Sequence, residues 1–172
     1  RYVILDVEFQ LRLGVHSAPV MYKELADSLG VELGQRSKLS QVRAAVLDLR
    51  SAKGMVLDEI DRDTWSVGSF FTNPIVSSEV ADRLEIGTPA WPQADGSVKL
   101  SAAWLVENAG CTKGFSLNKR AGVSNKHTLA LTNRGAATAE DVLELAYEIQ
   151  HRVKERFAVA LDIEPQLIGE FR

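Results

Sequence analysis

Residues 65–76 read Trp-Ser-Val-Gly-Ser-Phe-Phe-Thr-Asn-Pro-Ile-Val, and the fold of this chain depends on them. Their aromatic and β-branched side chains favour strand structure. Gly68 weakens a strand interior, and Pro74 has no backbone N–H to give to a sheet. Two short strands around a bend therefore fit these residues better than one long strand.

Helical patterns surround this strand pair. The clearest follows a capping box of Thr138 and Asp141, and its apolar positions recur at helical spacing: Val142, Leu145, Ala146, Ile149, Val153 and Phe157. Four shorter helices are also predicted. They lie within 20–29, after an N-cap at Ser40 and up to Gly54, after Ser77 or Ser78, and over 102–109 between a Ser101 N-cap and Gly110.

Further strands are expected to be short. Apolar side chains at every second position of residues 2–13 predict a half-buried strand. Brief strands are predicted at 98–100, at Val123 and over 129–132, with an extended stretch over 161–171 and a loop over 87–96. Small strands mixed with helices predict an α+β fold, in which helices pack on a small antiparallel or mixed sheet.

Composition excludes several classes of function. The 172 residues carry a net charge of −3 without a block of like charge, so no nucleic-acid partner is expected. The apolar runs are too short for a membrane span, and no signal peptide is recognisable. The single cysteine, Cys111, excludes an internal disulfide and is expected to be buried. The chain opens inside a predicted strand without Met, which suggests a piece of a larger protein.

General motifs identify no activity. The three histidines (His16, His127 and His151) are scattered, and no Cys/His pair has ligand spacing, so no metal site is expected. No Gly-x-Gly-x-x-Gly or Walker-type loop is present.

Five segments in the same order resemble one family. Gly68-Ser69-Phe70-Phe71-Thr72-Asn73-Pro74 is similar to the Gly-Ser-Phe-Phe-Lys-Asn-Pro signature of the UDP-N-acetylenolpyruvoylglucosamine reductases, the MurB family. The other four segments are Tyr22-Lys23-Glu24-Leu25, typical of the type I subfamily, residues 92–105, Lys113-Gly114, and residues 164–169. Together they span almost the whole chain.

The resemblance implies a flavoenzyme of peptidoglycan synthesis. Members use NADPH and FAD to reduce UDP-N-acetylglucosamine enolpyruvate to UDP-N-acetylmuramate, and a cytoplasmic monomer is expected. The flavin-cradling loops and a catalytic Arg would lie before Arg1, so the isolated chain is expected to bind FAD weakly and to be inactive. Residues 1–36 would end the flavin domain and supply the type I loop, residues 37–160 would bind substrate, and residues 161–172 would return to the flavin domain.

Two residues are implied to be catalytic. Ser69 would protonate the carbon next to the carboxylate, and Glu164 would stabilise or protonate the intermediate. The alternative for Ser69 is a strand-end hydroxyl bonded to the backbone, and for Glu164 an exposed carboxylate near a chain end. Ile163 stands where the family usually has Pro, which leaves the position of Glu164 less defined.

Seven residues are implied to bind the substrate. Three lysines, Lys53, Lys99 and Lys113, would face the diphosphate, although each could be a solvated surface lysine. Trp91 would stack on uracil. Tyr22 would fold over the nucleotide, Asn73 would contact the substrate, and His127 would lie near the diphosphate or merely end a strand. Thr72 replaces the family's usual Lys, and Lys53-Gly54-Met55 replaces Lys-Leu-Pro.

Two other functions remain open. The chain could be a stand-alone, non-catalytic UDP-sugar-binding or peptide-binding module, although the joint presence of Ser69 and Glu164 argues against it. It could also be an unrelated structural domain that shares only short strings with the family.

Overall fold

The computed structural model describes residues 3–169, in two compact units that divide between Arg50 and Ser51. In the first unit, helix α1 (Lys23–Leu29) ends at Gly30, whose φ of 65° is left-handed. The segments around it are held together by backbone bonds, from Ser17 to Ser37 and from Val20 to Gln35. Helix α2 (Leu39–Ala52) begins in this unit.

The second unit contains two small antiparallel sheets. The first has the order β1-β6-β5, from strands Ser66–Ser69, Ala130–Asn133 and Ala121–Val123. The second has the order β2-β4-β3, from strands Ile75–Val76, Val98–Leu100 and Ala90–Pro92. The bend after Phe71 therefore carries the chain from one sheet to the other, as residues 65–76 predict.

Three α-helices and one 3-10 turn among the described residues complete this unit. The α-helices are α3 (Ser78–Ala81), α4 (Ala102–Asn108) and α5 (Ala139–Phe157), and the 3-10 turn is Arg62–Thr64. The Ser101 side chain accepts from the amide of Trp104, and Thr138 forms a capping box with Asp141, so both predicted caps are confirmed. Arg120 pairs with Asp141, and the amide of Thr138 together with this guanidinium lowers the pKa of Asp141.

One hydrophobic core fills the second unit. Side chains from α4, α5 and the first sheet are almost completely buried, among them Leu105, Val123, Leu145 and Ile149. Cys111 belongs to this core, and burial raises the pKa of its thiol. The α+β class is confirmed, because the helices pack on small sheets rather than alternating with the strands of one parallel sheet.

Three local expectations are wrong. Residues 3–13 form no strand, and their apolar side chains are exposed, because no segment among residues 3–169 supplies the hydrogen-bonding partner that a strand requires. Ser40 lies inside α2, which begins at Leu39. Part of the expected loop over 87–96 is β3, which pairs with β4 despite Pro92 because it is an edge strand. Residues 2, 170 and 171 of the predicted extended stretches lie outside the described residues.

Candidate active site

A cavity of about 310 Å³ opens where the two sheets of the second unit meet. It brings together four of the predicted site residues: Ser69, Asn73, Lys99 and Glu164. The rest of its lining is Phe71, Thr72 and Leu129. A hydroxyl, an amide, an ammonium and a carboxylate therefore share one small space, which is a suitable set for binding and protonating a carboxylated substrate.

Ser69 follows a bulge in β1. Ser66 pairs with Thr132 and Ser69 pairs with Ala130, so β1 contains one more residue than β6 between these pairs. Gly68 adopts a φ of 87°, a left-handed conformation that L-residues with a side chain rarely adopt. A bulge of this kind redirects the following side chain, and here that side chain is Ser69.

Glu164 reaches the cavity because the segment after α5 pairs with the segment after β1. The Thr72 amide donates to the Asp162 carbonyl oxygen at 3.0 Å, and the Glu164 amide donates to the Phe70 carbonyl oxygen at 3.0 Å. Between them, Phe71 and Ile163 form an antiparallel bridge. Because Phe71 is only 1% exposed, this pairing is anchored in the core.

Asn73 is tied to the start of α4. Its side-chain oxygen accepts a hydrogen bond from the buried Ala102 amide at 2.9 Å. The orientation of the side chain is thereby fixed, and its NH2 group is the part left for a ligand. Asn73 therefore has a structural role and can also have the predicted binding role.

Lys99 and Trp91 are direct neighbours in the second sheet. Register places Trp91 on β3 opposite Lys99 on β4, and Ile75 on β2 pairs with Lys99 from the other side. These three side chains share one face, since residues opposite one another in adjacent strands point the same way. Lys99 lines the cavity, whereas Trp91 lies beside it, 48% exposed.

A second group of predicted residues gathers around His127. Burial lowers the pKa of His127, and the charges of Lys53 and Lys113 lower it further. The Leu129 amide donates to Nδ1 of His127 at 3.1 Å, so the proton of the neutral ring is on Nε2. These three residues do not line the cavity of Ser69, although Leu129 belongs to that cavity and is held by His127.

Tyr22 belongs to the first unit. It is the N-cap residue of α1 and is 78% exposed. Its contact with a nucleotide stays a prediction, as do the binding and catalytic roles of the other site residues.

Two residues near the lysines have no counterpart among the predicted site residues. Asp63, in the 3-10 turn Arg62–Thr64, accepts hydrogen bonds from Asn125, which lies in the loop between β5 and β6. No short sequence pattern links two polar residues so far apart in the chain, and only the fold brings them together. Thr72, noted in the sequence only as a lost lysine, also lines the cavity.

Within residues 3–169, no group of three or more His, Cys, Asp or Glu side chains is arranged to hold a metal ion. No helix in the same range has the length and apolar character needed to cross a membrane.

Comparison with known proteins identifies the family. The model of "UDP-N-acetylenolpyruvoylglucosamine reductase, C-terminal domain" matches residues 58–168. The enzyme of that name from Mycolicibacterium gilvum is 53% identical over 174 residues, which cover 98% of this chain and 50% of the relative. The one from Cutibacterium acnes is 52% identical over 171 residues, covering 98% of this chain and 45% of the relative.

A solved structure is also similar. The crystal structure of UDP-N-acetylenolpyruvylglucosamine reductase (MurB) from Thermus caldophilus is 27% identical, with a TM-score of 0.40, over 77% of this chain and 37% of that one. The chain spans about half the length of the curated relatives it matches. It belongs to the UDP-N-acetylenolpyruvoylglucosamine reductase family and carries the C-terminal domain of that family.

Proposed function

We propose that this chain is the substrate-binding part of a cytoplasmic reductase that converts UDP-N-acetylglucosamine enolpyruvate to UDP-N-acetylmuramate in peptidoglycan synthesis. The observation that carries the proposal is the common cavity of Ser69 and Glu164, two residues distant in sequence that backbone pairing brings together. Family membership supports the identity of the substrate.

Reduction of an enolpyruvyl double bond needs one hydride and one proton. The hydride comes from NADPH by way of FAD in the family that this chain belongs to. The described residues around Ser69 do not fit FAD, because residues 3–169 contain no glycine-rich phosphate loop and the cavity of about 310 Å³ beside Ser69 is at the lower limit for a drug-sized ligand. We therefore assign FAD to the half of the reductase that this chain does not span.

The contribution of this chain to the chemistry is the proton. Ser69 donates its hydroxyl proton to the carbon next to the substrate carboxylate, which carries negative charge after the hydride has been added. Lys99 lines the same cavity, so we assign its positive charge to that carboxylate rather than to the diphosphate that the resemblance implies for it, while the NH2 group of Asn73 donates a hydrogen bond. Glu164 assists the protonation from the segment 162–164, which pairs with residues 70–72.

Substrate binding extends beyond this cavity. Trp91, next to Lys99, offers a flat aromatic surface for the uracil ring. Lys53, Lys113 and His127 form a separate group, the cationic group, in which the two ammonium charges suit the diphosphate and His127, neutral without a ligand, can take up a proton when the anion binds. Tyr22 closes over the nucleotide. Residues 1–36 and 161–172 connect this binding region, residues 37–160, to the flavin domain.

The proposal is tested with Ser69→Ala in the full-length reductase. Loss of a general acid is expected to slow the reduction of the substrate by the reduced flavin by about 100-fold to 10,000-fold. Reduction of the flavin by NADPH should keep its rate, since the hydroxyl has no part in it. Stopped-flow absorbance of the flavin measures both half-reactions, with Ser78→Ala, at an exposed position of α3, as the control.

A normal rate of flavin reoxidation by the substrate in Ser69→Ala would refute the catalytic role of Ser69. Retained UDP binding together with that result would favour the non-catalytic UDP-sugar-binding module for this part of the protein.

A further inference from the structure

The loops that carry Lys53 and Lys113 both contain a glycine that is packed closely against a neighbouring residue. Lys53 and Lys113 are each followed by a glycine with left-handed φ, 69° at Gly54 and 85° at Gly114. A Cβ atom on Gly54 would lie 2.9 Å from the carbonyl oxygen of Asp63, and one on Gly114 would lie 2.9 Å from Oδ1 of Asn125. At Gly54 the neighbour is a backbone carbonyl that cannot move aside, and at Gly114 it is the side-chain oxygen of Asn125, which would have to shift to admit a side chain.

The neighbours of the two loops are themselves connected. The carboxylate of Asp63 accepts hydrogen bonds from the backbone amide of Asn125 at 3.0 Å and from its side-chain NH2 group at 3.1 Å. Asp63 contacts the Lys53 loop through its carbonyl, and Asn125 contacts the Lys113 loop through its amide oxygen. One hydrogen-bonded pair thus separates the two loops.

The segment that contains Asn125 also carries His127, the third member of the cationic group. Asn125 lies two residues before His127, and the Ser124 hydroxyl accepts from the amides of Lys126 and His127. Lys126, between Asn125 and His127, forms an ion pair with Asp61. Asp63 and Asn125 thus border all three members of the cationic group, Lys53, Lys113 and His127.

We propose that Asp63 and Asn125 are positioning residues, which set the spacing of the Lys53 and Lys113 loops and thereby the recognition of a nucleoside diphosphate. This inference rests on the proposed function, since it assumes that the cationic group binds the diphosphate. Neither residue is proposed to touch the ligand. A pair of cations recognises a diphosphate only at the correct spacing, so the effect should be specific to the phosphates.

Removal of the Asp63 charge distinguishes positioning from simple electrostatics. Asp63→Asn makes the region more positive, and Coulomb attraction alone would then tighten the binding of an anion. Loss of positioning predicts the opposite, because the amide that replaces the carboxylate would no longer hold both N–H groups of Asn125. The sign of the change in UDP affinity therefore decides between the two.

The experiment compares UDP with uridine by calorimetric or NMR titration of the full-length reductase. The wild type should prefer UDP, and Asp63→Asn and Asn125→Ala should each reduce that preference by about ten-fold, the effect of losing a charge-assisted hydrogen bond. The uridine affinity should stay within about two-fold, because the uracil contact near Trp91 does not depend on this pair. Glu59→Gln removes a charge from the same acidic loop and should cause no loss.

A double variant provides a rescue. Asn125→Asp alone sets two carboxylates against one another and should weaken UDP binding most. The double variant Asp63→Asn/Asn125→Asp again pairs a hydrogen-bond donor with an acceptor and has the original net charge. Its preference for UDP over uridine should recover to within about three-fold of the wild type.

The possible outcomes separate the two proposals. A wild type without preference for UDP over uridine refutes the diphosphate site and the inference together. If the wild type prefers UDP over uridine, and Asp63→Asn and Asn125→Ala leave this preference unchanged or increase it, the inference alone is refuted. Equal loss of UDP and uridine binding would also refute it, since the pair would then merely maintain the fold.

Discussion

The amide of Glu164 donates to the carbonyl oxygen of Phe70 at 3.0 Å, which fixes a carboxylate residue beside the residue that follows Ser69. The neighbouring bridge between Phe71 and Ile163 prevents the segment from sliding, because Phe71 is buried in the core. The position of Glu164 is thus set by backbone bonds and does not depend on the charge of its own side chain.

Glu164→Gln should therefore leave the fold intact and affect only the chemistry. We expect the thermal unfolding midpoint to be unchanged within error, since an exposed side chain with an intact backbone bond contributes little to stability. The kcat of the full-length reductase should fall by about 100-fold or more. Steady-state kinetics and calorimetry measure the two effects.

The control for this variant is Asp162→Asn, which changes an exposed carboxylate on the same segment and should leave kcat unaltered. An unaltered kcat in Glu164→Gln would assign the residue to the surface rather than to the reaction.

Gly68→Ala should separate the strain of the β1 bulge from its effect on Ser69. No atom lies within 4 Å of the added Cβ, so there is no clash, but the φ of 87° remains unfavourable for alanine. The free energy of unfolding should fall by about 1–2 kcal/mol. Relaxation of the bulge would redirect the Ser69 hydroxyl and lower kcat well beyond what the loss of stability explains.

Gly87→Ala is the matched control. Gly87 also has a left-handed φ, 99°, and open space around its Cβ, but it lies in the loop between α3 and β3. Its substitution should cost similar stability and leave kcat unchanged. Equal kinetic losses in both variants would show that general destabilisation, and not the direction of Ser69, explains the result.

The sequence predicted those parts of the fold whose signals are local. The Thr138 capping box, the Ser101 cap and the apolar stripe of α5 are read within a few residues, and all three are present. Local signals could not decide whether residues 3–13 form a strand. Alternating apolar and polar side chains are compatible with a strand, but a strand forms only where another strand supplies its hydrogen bonds.

The sequence predicted which residues belong to the site, but not how they are arranged in space. Family resemblance singled out Ser69 and Glu164, but the pairing of residues 70–72 with 162–164 that joins them is a long-range property. The link between Asp63 and Asn125 had no local signal at all. The departures from the family at Thr72 and Ile163 prevent neither Ser69 nor Glu164 from lining the common cavity.

Asn73→Asp should separate the structural role of Asn73 from its binding role. The carboxylate can still accept the hydrogen bond from Ala102 at the first turn of α4, where negative charge is favourable, so stability should be maintained. The NH2 donor is lost, and a negative charge faces an anionic substrate. We expect KM for the substrate to rise about ten-fold or more.

Asn73→Ala is the complementary variant. It leaves the buried Ala102 amide without a partner, which should lower the free energy of unfolding by about 1–3 kcal/mol. If Asn73→Asp bound substrate normally, Asn73 would have the structural role only. Denaturant unfolding and steady-state kinetics of the two variants give the comparison.

His127 should make both stability and binding depend on pH. Burial and the charges of Lys53 and Lys113 lower its pKa in the folded chain, below the ordinary value of 6.5. In the window below 6.5 the unfolded chain binds the additional proton, so the stability due to neutral His127 is complete above 6.5 and is lost as pH falls through the folded pKa. His127→Gln should remove this part of the pH dependence of unfolding.

A bound diphosphate reverses the electrostatics of this group. Its negative charge favours the imidazolium form, so UDP should raise the pKa of His127. As pH falls from about 7.5 to 6, UDP should be bound more tightly by the wild type than by His127→Gln, since the phosphate of UDP titrates in the same way with both proteins. Lys113→Gln should raise the pKa of His127 in the free chain, because it removes one of the two charges that lower it. An NMR titration of the His127 ring, assigned by its absence in His127→Gln, measures both changes. A pKa that UDP lowers or leaves unaltered would place the diphosphate elsewhere and remove the basis for assigning Lys53 and Lys113 to it.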